Sequence, residues 1–190
     1  MKAFRSVTST AVVLDRPDVD TDQIVPKQFL KRIERTGFGD VLFFDWRKDP
    51  DFELNEPEAA GARILLAGRN FGCGSSREHA AWALQDWGFE AVVAPSFGDI
   101  FRQNSLKIGL LPVQLAPEQV KALMARARSG DELTIDLDTR SAGGFPFELD
   151  DFTRTCLLEG LDEIALALRH EPDLVAYEKA HPPPISTLEA

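Results

Sequence analysis

The segment "ILLAGRNFGCGSSREHAAWALQDWGFEAVVAP", residues 64 to 95, constrains the fold of this chain more than any other. It opens on a short continuous apolar run bounded by glycine, the mark of a strand covered on both faces. A glycine-rich turn follows. Then Ala80, Ala83, Leu84 and Trp87 recur at helical spacing, and Gly88 supplies a C-terminal stop. "EAVVAP" reads as the next strand. The rhythm repeats: "SFGDIFRQNSLKIG" predicts a helix with Ser96 as N-cap and Gly109 as its stop, and "LLPVQL" another strand. Strand–helix alternation over residues 62 to 115 predicts right-handed crossovers and a parallel sheet with flanking helices, an α/β fold.

Outside that stretch the elements are less regular. Residues 4 to 15 are β-rich, and "RPDVDTDQIVP" is a loop with three carboxylates. Residues 27 to 36 predict a short helix, and "VLFFDW" fits a strand or a helical turn. Beyond residue 115, "APEQVKALMARARSG" predicts a helix with Pro117 early and Gly130 just past its end. "DELTIDLDT" alternates as a half-exposed strand, "SAGG" turns, and "FPFELD" is strand-like. "FTRTCLLEGLDEIALALRH" predicts one long amphipathic helix weakened in the middle by Gly160. The expected organisation is one domain over residues 1–175 and a disordered tail over 176–190.

Composition excludes several function classes. The 190 residues are 44% hydrophobic and 27% charged, ordinary for a soluble globular chain with a full core. The formal net charge of −10 argues against general nucleic-acid binding. No apolar run approaches a membrane span, and "MKAFRSVTST" carries no signal-peptide core. Two cysteines, Cys73 and Cys156, make no disulfide framework, so the expected compartment is the cytoplasm. An acidic chain that takes an anionic ligand needs a local cationic site. "KQFLKRIER" is locally basic, and reads either as a solvated helix face or as a loop that receives anions.

The glycine-rich turn offers a second cationic place. The first N–H groups of a helix lack partners and carry partial positive charge. Gly72 and Gly74 permit close approach, Ser75 or Ser76 fits a cap, and Arg77 adds a fork suited to a carboxylate or phosphate. Known fingerprints fail here. A dinucleotide motif from Gly72 needs a glycine where Arg77 stands, and no Gly-Lys precedes the serines as a Walker loop requires. A hydrolase elbow on Ser75 has Cys73 and Arg77 at its glycine positions, and one on Ser76 has Glu78 at the second. A Cys73 nucleophile paired with His79 has no positioned third group. His79 reads first as a structural hydrogen-bonder and Cys73 as a small buried filler. From pattern alone Ser75 stands between a catalytic hydroxyl and a turn residue.

"NFGCGSSREHAAWAL" closely resembles the motif of the aconitase superfamily, in the version carried by the small-subunit family of isopropylmalate dehydratase (isopropylmalate isomerase). "VDTDQIVPKQFLKRIERTGFG", "LFFDWR", "APSFGDIFRQNSLKIGLLPV" and "CLLEGLDEIALALRH" resemble further blocks of that family, in order. The resemblance implies a swivelling β/β/α domain. It implies a hydro-lyase in leucine biosynthesis, which eliminates water from 2-isopropylmalate and re-adds it to give 3-isopropylmalate. It implies a large-subunit partner bearing a [4Fe-4S] cluster whose iron acts as Lewis acid on the departing hydroxyl, and no cofactor or metal on this chain. Two distant cysteines agree, since a cluster held through thiolates needs more. By the same resemblance Ser75 is the catalytic base, and Ser76 and Arg77 hold the carboxylates of a small dicarboxylate substrate. Lys31 and Arg32 belong to the loop that senses the substrate's variable group, beside Phe29 and Leu30. The block Asp20, Thr21, Asp22, Gln23 matches a family block and reads as shaping the loop, and Ile108 stands where the family pattern expects a polar residue.

Two rival readings remain at this stage. Sibling hydro-lyase subunits that handle 2-methylmalate or homoaconitate share the serine motif, and only the loop at 27–36 and a substrate panel separate them. A catalytically silent carboxylate-binding module is the other. An obligate heteromer also predicts an exposed apolar patch near the serine turn, where a partner closes the site.

Overall fold

The computed structural model describes residues 1–31, 36–75 and 77–181. Short β-branched and apolar runs give β1 (Ser6–Ser9) and β2 (Ala11–Leu14). Then come α1 (Thr21–Ile24) and single 3₁₀ turns at Lys27–Phe29, Gly39–Val41, Trp46–Lys48, Glu53–Asn55 and Pro57–Ala59. The regular alternation follows: β3 (Ile64–Ala67), α2 (Glu78–Trp87), β4 (Ala91–Ala94), α3 (Asp99–Ile108), β5 (Leu111–Gln114) and α4 (Pro117–Arg128). The chain ends with β6 (Leu133–Asp136), the two-residue strands β7 (Ser141–Ala142) and β8 (Phe145–Pro146), and the helices α5 (Asp151–Glu159), α6 (Glu163–Leu168) and α7 (Glu171–Ala180).

The parallel sheet has the order β2-β3-β4-β5, with Ala11 opposite Ile64, Ile64 opposite Ala91 and Ala91 opposite Leu111. Every residue of β3 and β4 is buried, as their unbroken apolar sequence requires. Period-two alternation divides them between two cores. Leu65, Ala67, Val92 and Ala94 pack with Ala80, Ala83 and Leu84 of α2 and with Phe38, Phe43 and Phe71. Ile64, Leu66, Ala91 and Val93 pack instead with Val120, Leu123 and Met124 of α4 and with Val7, Leu133 and Ile135. The latter three belong to an antiparallel sheet of order β1-β6-β7-β8, with Val7 opposite Ile135. The result is a β/β/α layering, with the parallel sheet in the middle.

Three expectations need revision. Ser96 is not the N-cap of α3. That position belongs to Gly98, and the Ser96 hydroxyl instead accepts the backbone N–H of Asn70 at 2.9 Å. The single C-terminal helix is divided into α5 and α6. Gly160 takes φ +69° as the left-handed C-cap of α5, and a methyl group there would lie 2.8 Å from the carbonyl oxygen of Met1, so the N-terminal strap packs directly against the break. Asp162 then restarts the chain as N-cap of α6, accepting from the N–H of Ala165. Finally, α7 runs to Ala180, into the segment expected as tail, while residues 182–190 lie outside the described residues.

Candidate functional site

The loops that leave β2, β3 and β4 at their C-terminal ends are laced together by backbone hydrogen bonds, the usual place for a ligand in an α/β sheet. The N–H of Asp18 donates to Arg69, those of Gly72 and Cys73 donate to Val19, and that of Thr21 donates to Cys73 at 2.9 Å. On the other flank Phe71 donates to Ser96, and Gly98 donates back to Phe71. Positive φ at Gly72 and Gly74 lets the middle loop turn sharply enough to reach both neighbours. The serine turn is thus held from two sides before α2 begins.

Ser75 lies exposed at the lip of this turn. Its backbone carbonyl accepts the Thr21 hydroxyl at 3.2 Å, which ties its position to α1. Arg77 is the N-cap residue of α2 by backbone geometry, with no side-chain cap bond, so the expected serine cap is absent at Ser75. The Arg77 side chain is only 16% exposed. Its Nη2 points to the Ser75 hydroxyl at 3.5 Å, and its Nη1 donates to Oδ1 of Asp22. The other oxygen of Asp22 lies 3.5 Å from Nζ of Lys27. Asp20 holds Asp22 in place: its carboxylate accepts the N–H groups of Asp22 and Gln23, each at 2.8 Å, in a capping box. The acidic block, expected only to shape the loop, therefore has two parts to play. Asp20 shapes the loop, and Asp22 neutralises Arg77.

Of the remaining expected site residues, Lys31 is exposed on the loop that starts at Lys27. Ser76 and Arg32 lie outside the described residues. Phe29 and Leu30 are half-buried against the core, Phe29 edge-on to Phe44 with ring centroids 4.9 Å apart. They support the loop as well as lining it.

Two titratable groups beside the turn take structural parts. His79 packs between Phe38 and Trp82, with centroids 5.0 and 4.8 Å away, and burial holds its pKa below the ordinary value. The imidazole is thereby held neutral and stacked between two aromatic rings. Burial, reinforced by Asp20 and Asp18, pushes the Cys73 thiol up, the opposite of what a nucleophile or thiolate ligand needs. Cys156 sits in α5 and is also raised, first by burial. Among the described residues, no three His, Cys, Asp or Glu side chains are grouped to hold a metal ion.

Exposed large apolar side chains fall on two parts of the described chain. Among the described residues Ile100 of α3 is the exposed large apolar side chain nearest in sequence to Gly98. Phe152, Ile164, Leu168, Leu174, Val175 and Tyr177 are exposed on α5 to α7. No described helix is long and apolar enough to cross a membrane.

Comparison with known proteins places this geometry in a family. The aconitase C-terminal domain model matches residues 1–118. The 3-isopropylmalate dehydratase small subunit of Parafrankia sp. is 57% identical over 188 residues, covering 96% of both chains. That of Acidobacterium capsulatum is 55% identical over 188 residues, covering 95% of this chain and 91% of the relative. Among solved structures, 3-isopropylmalate dehydratase of Methanocaldococcus jannaschii superposes with a TM-score of 0.67 at 25% identity, covering 92% of this chain and 99% of that one.

Proposed function

The chain belongs to the aconitase-type family of 3-isopropylmalate dehydratase small subunits, and from that premise we propose that it supplies the base and the carboxylate grip of a two-chain hydro-lyase in leucine biosynthesis. In this reading Ser75 removes the proton from the substrate carbon and returns it, in the interconversion of 2- and 3-isopropylmalate through 2-isopropylmaleate. Ser76 and Arg77 hold the carboxylates of the malate skeleton, Lys31 and Arg32 of the adjoining loop also meet carboxylate, and Phe29 and Leu30 face the apolar group. The observation that carries the reading is the pairing of Ser75 and Arg77 at the start of α2, 3.5 Å apart between Oγ and Nη2.

A serine hydroxyl is a weak base until its alkoxide is stabilised. Two features do so here. The guanidinium of Arg77 faces Oγ, and the unpaired N–H groups at the N-terminus of the ten-residue α2 add partial positive charge. Asp22 offsets the arginine's full charge, so the remaining donors of the fork can meet a substrate carboxylate without creating a strongly cationic pocket. The donor set of this chain does not fit an iron–sulfur cluster: two cysteines stand in different elements, and burial raises both thiols. The cluster is therefore assigned to the large subunit, and the chemistry assigned to this chain is proton transfer and carboxylate binding. In this reading a large subunit completes the site, which leaves this chain inactive alone, and the compartment is the cytoplasm.

The test mixes this chain with an anaerobically reconstituted large subunit and follows alkene formation by ultraviolet absorbance, offering 2-isopropylmalate, 2-methylmalate and homocitrate. Turnover of 2-isopropylmalate only when both chains are present is the expected result. Ser75→Ala should assemble normally and lose at least about a thousandfold in kcat, the scale of removing the proton-transfer group. Turnover of 2-methylmalate alone reassigns the chain to a sibling enzyme. A formed complex with intact cluster and no turnover means a silent carboxylate-binding module.

A further inference from the structure

We propose that Asp22 is a positioning residue that joins the anion site to the adjoining loop, holding Arg77 with one carboxylate oxygen and Lys27 with the other. The proposal rests on the reading of Arg77 as a substrate-carboxylate ligand, and adds the device that sets where that ligand stands. Oδ1 of Asp22 takes Nη1 of Arg77, and Oδ2 lies 3.5 Å from Nζ of Lys27. The carboxylate is itself fixed. The Asp20 side chain accepts the Asp22 N–H at 2.8 Å, and the neighbouring Thr21 donates its N–H to Cys73 and its hydroxyl to the carbonyl of Ser75. Asp22 is therefore anchored to the same turn that presents Ser75.

Charge geometry gives the arrangement its purpose. A guanidinium is a planar fork with five donors. Asp22 uses one edge, which leaves Nη2 toward Ser75 and further donors for an incoming carboxylate. With its side chain 16% exposed and its plane held by an ion pair, Arg77 loses less rotamer freedom when substrate arrives. Lys27 opens the 3₁₀ turn Lys27–Phe29, which leads directly to Lys31. The carboxylate shared by Arg77 and Lys27 thus sets the loop that senses the substrate's variable end relative to the arginine that holds its constant end. Asp22 touches no reacting atom and acts through the two cations.

The decisive experiment is steady-state kinetics of the reconstituted two-chain enzyme with 2-isopropylmalate. Asp22→Asn should raise KM roughly tenfold and lower kcat as well, because the displaced guanidinium both holds the substrate carboxylate and faces Ser75 Oγ. Asp22→Glu should recover part of the loss. Lys27→Met should raise KM by a smaller factor. The double variant Asp22→Asn/Lys27→Met should be no worse than Asp22→Asn alone, because Lys27 acts through the shared carboxylate. A readout independent of turnover is the guanidinium NMR signal of Arg77 in the isolated chain, which should move to the position of exposed arginines in Asp22→Asn. Thermal melting and co-elution with the large subunit show that each variant folds and assembles. If Asp22→Asn fails to fold, Asp22→Glu and Lys27→Met carry the test, and an unchanged KM in both overturns the proposal. An unchanged or lower KM in a folded Asp22→Asn overturns it, and so do additive effects of Asp22→Asn and Lys27→Met. A wild-type complex that turns over none of the three acids overturns the proposed function and this positioning with it. An active wild type with an unresponsive Asp22→Asn overturns the positioning alone.

Discussion

Gly72 meets two needs at once, and only one of them is visible in the sequence. In the sequence its lack of a side chain permits positive φ and close approach. In the structure it takes φ +72°, and a methyl group there would fall inside the ring of Phe101 on α3. The space is needed by a neighbouring helix. Gly72→Ala combines left-handed strain with overpacking and should cost roughly 3 kcal/mol in urea denaturation, with α3 displaced. His79 makes a second residue-scale prediction. Burial against Phe38 and Trp82 lowers its pKa from the ordinary 6.5. The folded chain then binds this proton less readily than the unfolded one. Its contribution to stability is present above the unfolded value and is lost as pH falls through it. The thermal midpoint of wild type should fall relative to His79→Gln between about pH 7.5 and 5.5, and two parallel pH profiles would refute the assignment. Ser75 and Arg77 could be paired from the sequence because they lie two positions apart in one short motif, and the structure sets Oγ and Nη2 3.5 Å apart. Asp22 could not be, because the partner that gives it meaning is 55 positions away in the chain.

At the scale of elements, helices and strands with unbroken periodicity were legible and their ends were not. β3, α2 and β4 follow from apolar runs and from Gly88, which closes α2 in a left-handed cap. The division of α5 from α6 escaped sequence reading because what packs against it is tertiary. Periodicity continues through Gly160, yet the carbonyl of Met1 and the backbone of Ala3 press against that position. Ser96 misled for a related reason: a good N-cap residue was engaged by Asn70 on the adjacent loop. Gly160→Ala tests the account. The added methyl would sit 2.8 Å from the Met1 carbonyl oxygen, so the N-terminal strap must shift, at a cost of about 2 kcal/mol in chemical denaturation. Loss of the backbone hydrogen bond from Phe4 to Leu157 should appear as faster amide exchange at Phe4. If instead Gly160→Ala stabilises the chain, helix propensity outweighs the contact with the strap.

At the scale of the molecule, the parallel sheet couples everything. Adjacent residues of β3 and β4 face opposite cores, so neither core can dissolve without exposing strands that the other needs. The same sheet carries the three linked loops of the serine turn at one end. We propose on this ground that residues 1–175 unfold as one domain. The three tryptophans supply an uneven probe: Trp46, Trp82 and Trp87 all pack on the helical side, and the core between the two sheets contains none. Ile135 lies in that tryptophan-free core at 1% exposure. Ile135→Ala removes buried methylenes there and should cost about 2–5 kcal/mol. If the sheet transmits the loss, tryptophan fluorescence should report the same fall in urea midpoint as far-UV circular dichroism, although no tryptophan touches the cavity. A dichroism transition that moves while the fluorescence transition stays would separate the two layers into independent units. It would also free the serine turn, which stands on the helical side, from the antiparallel sheet behind it.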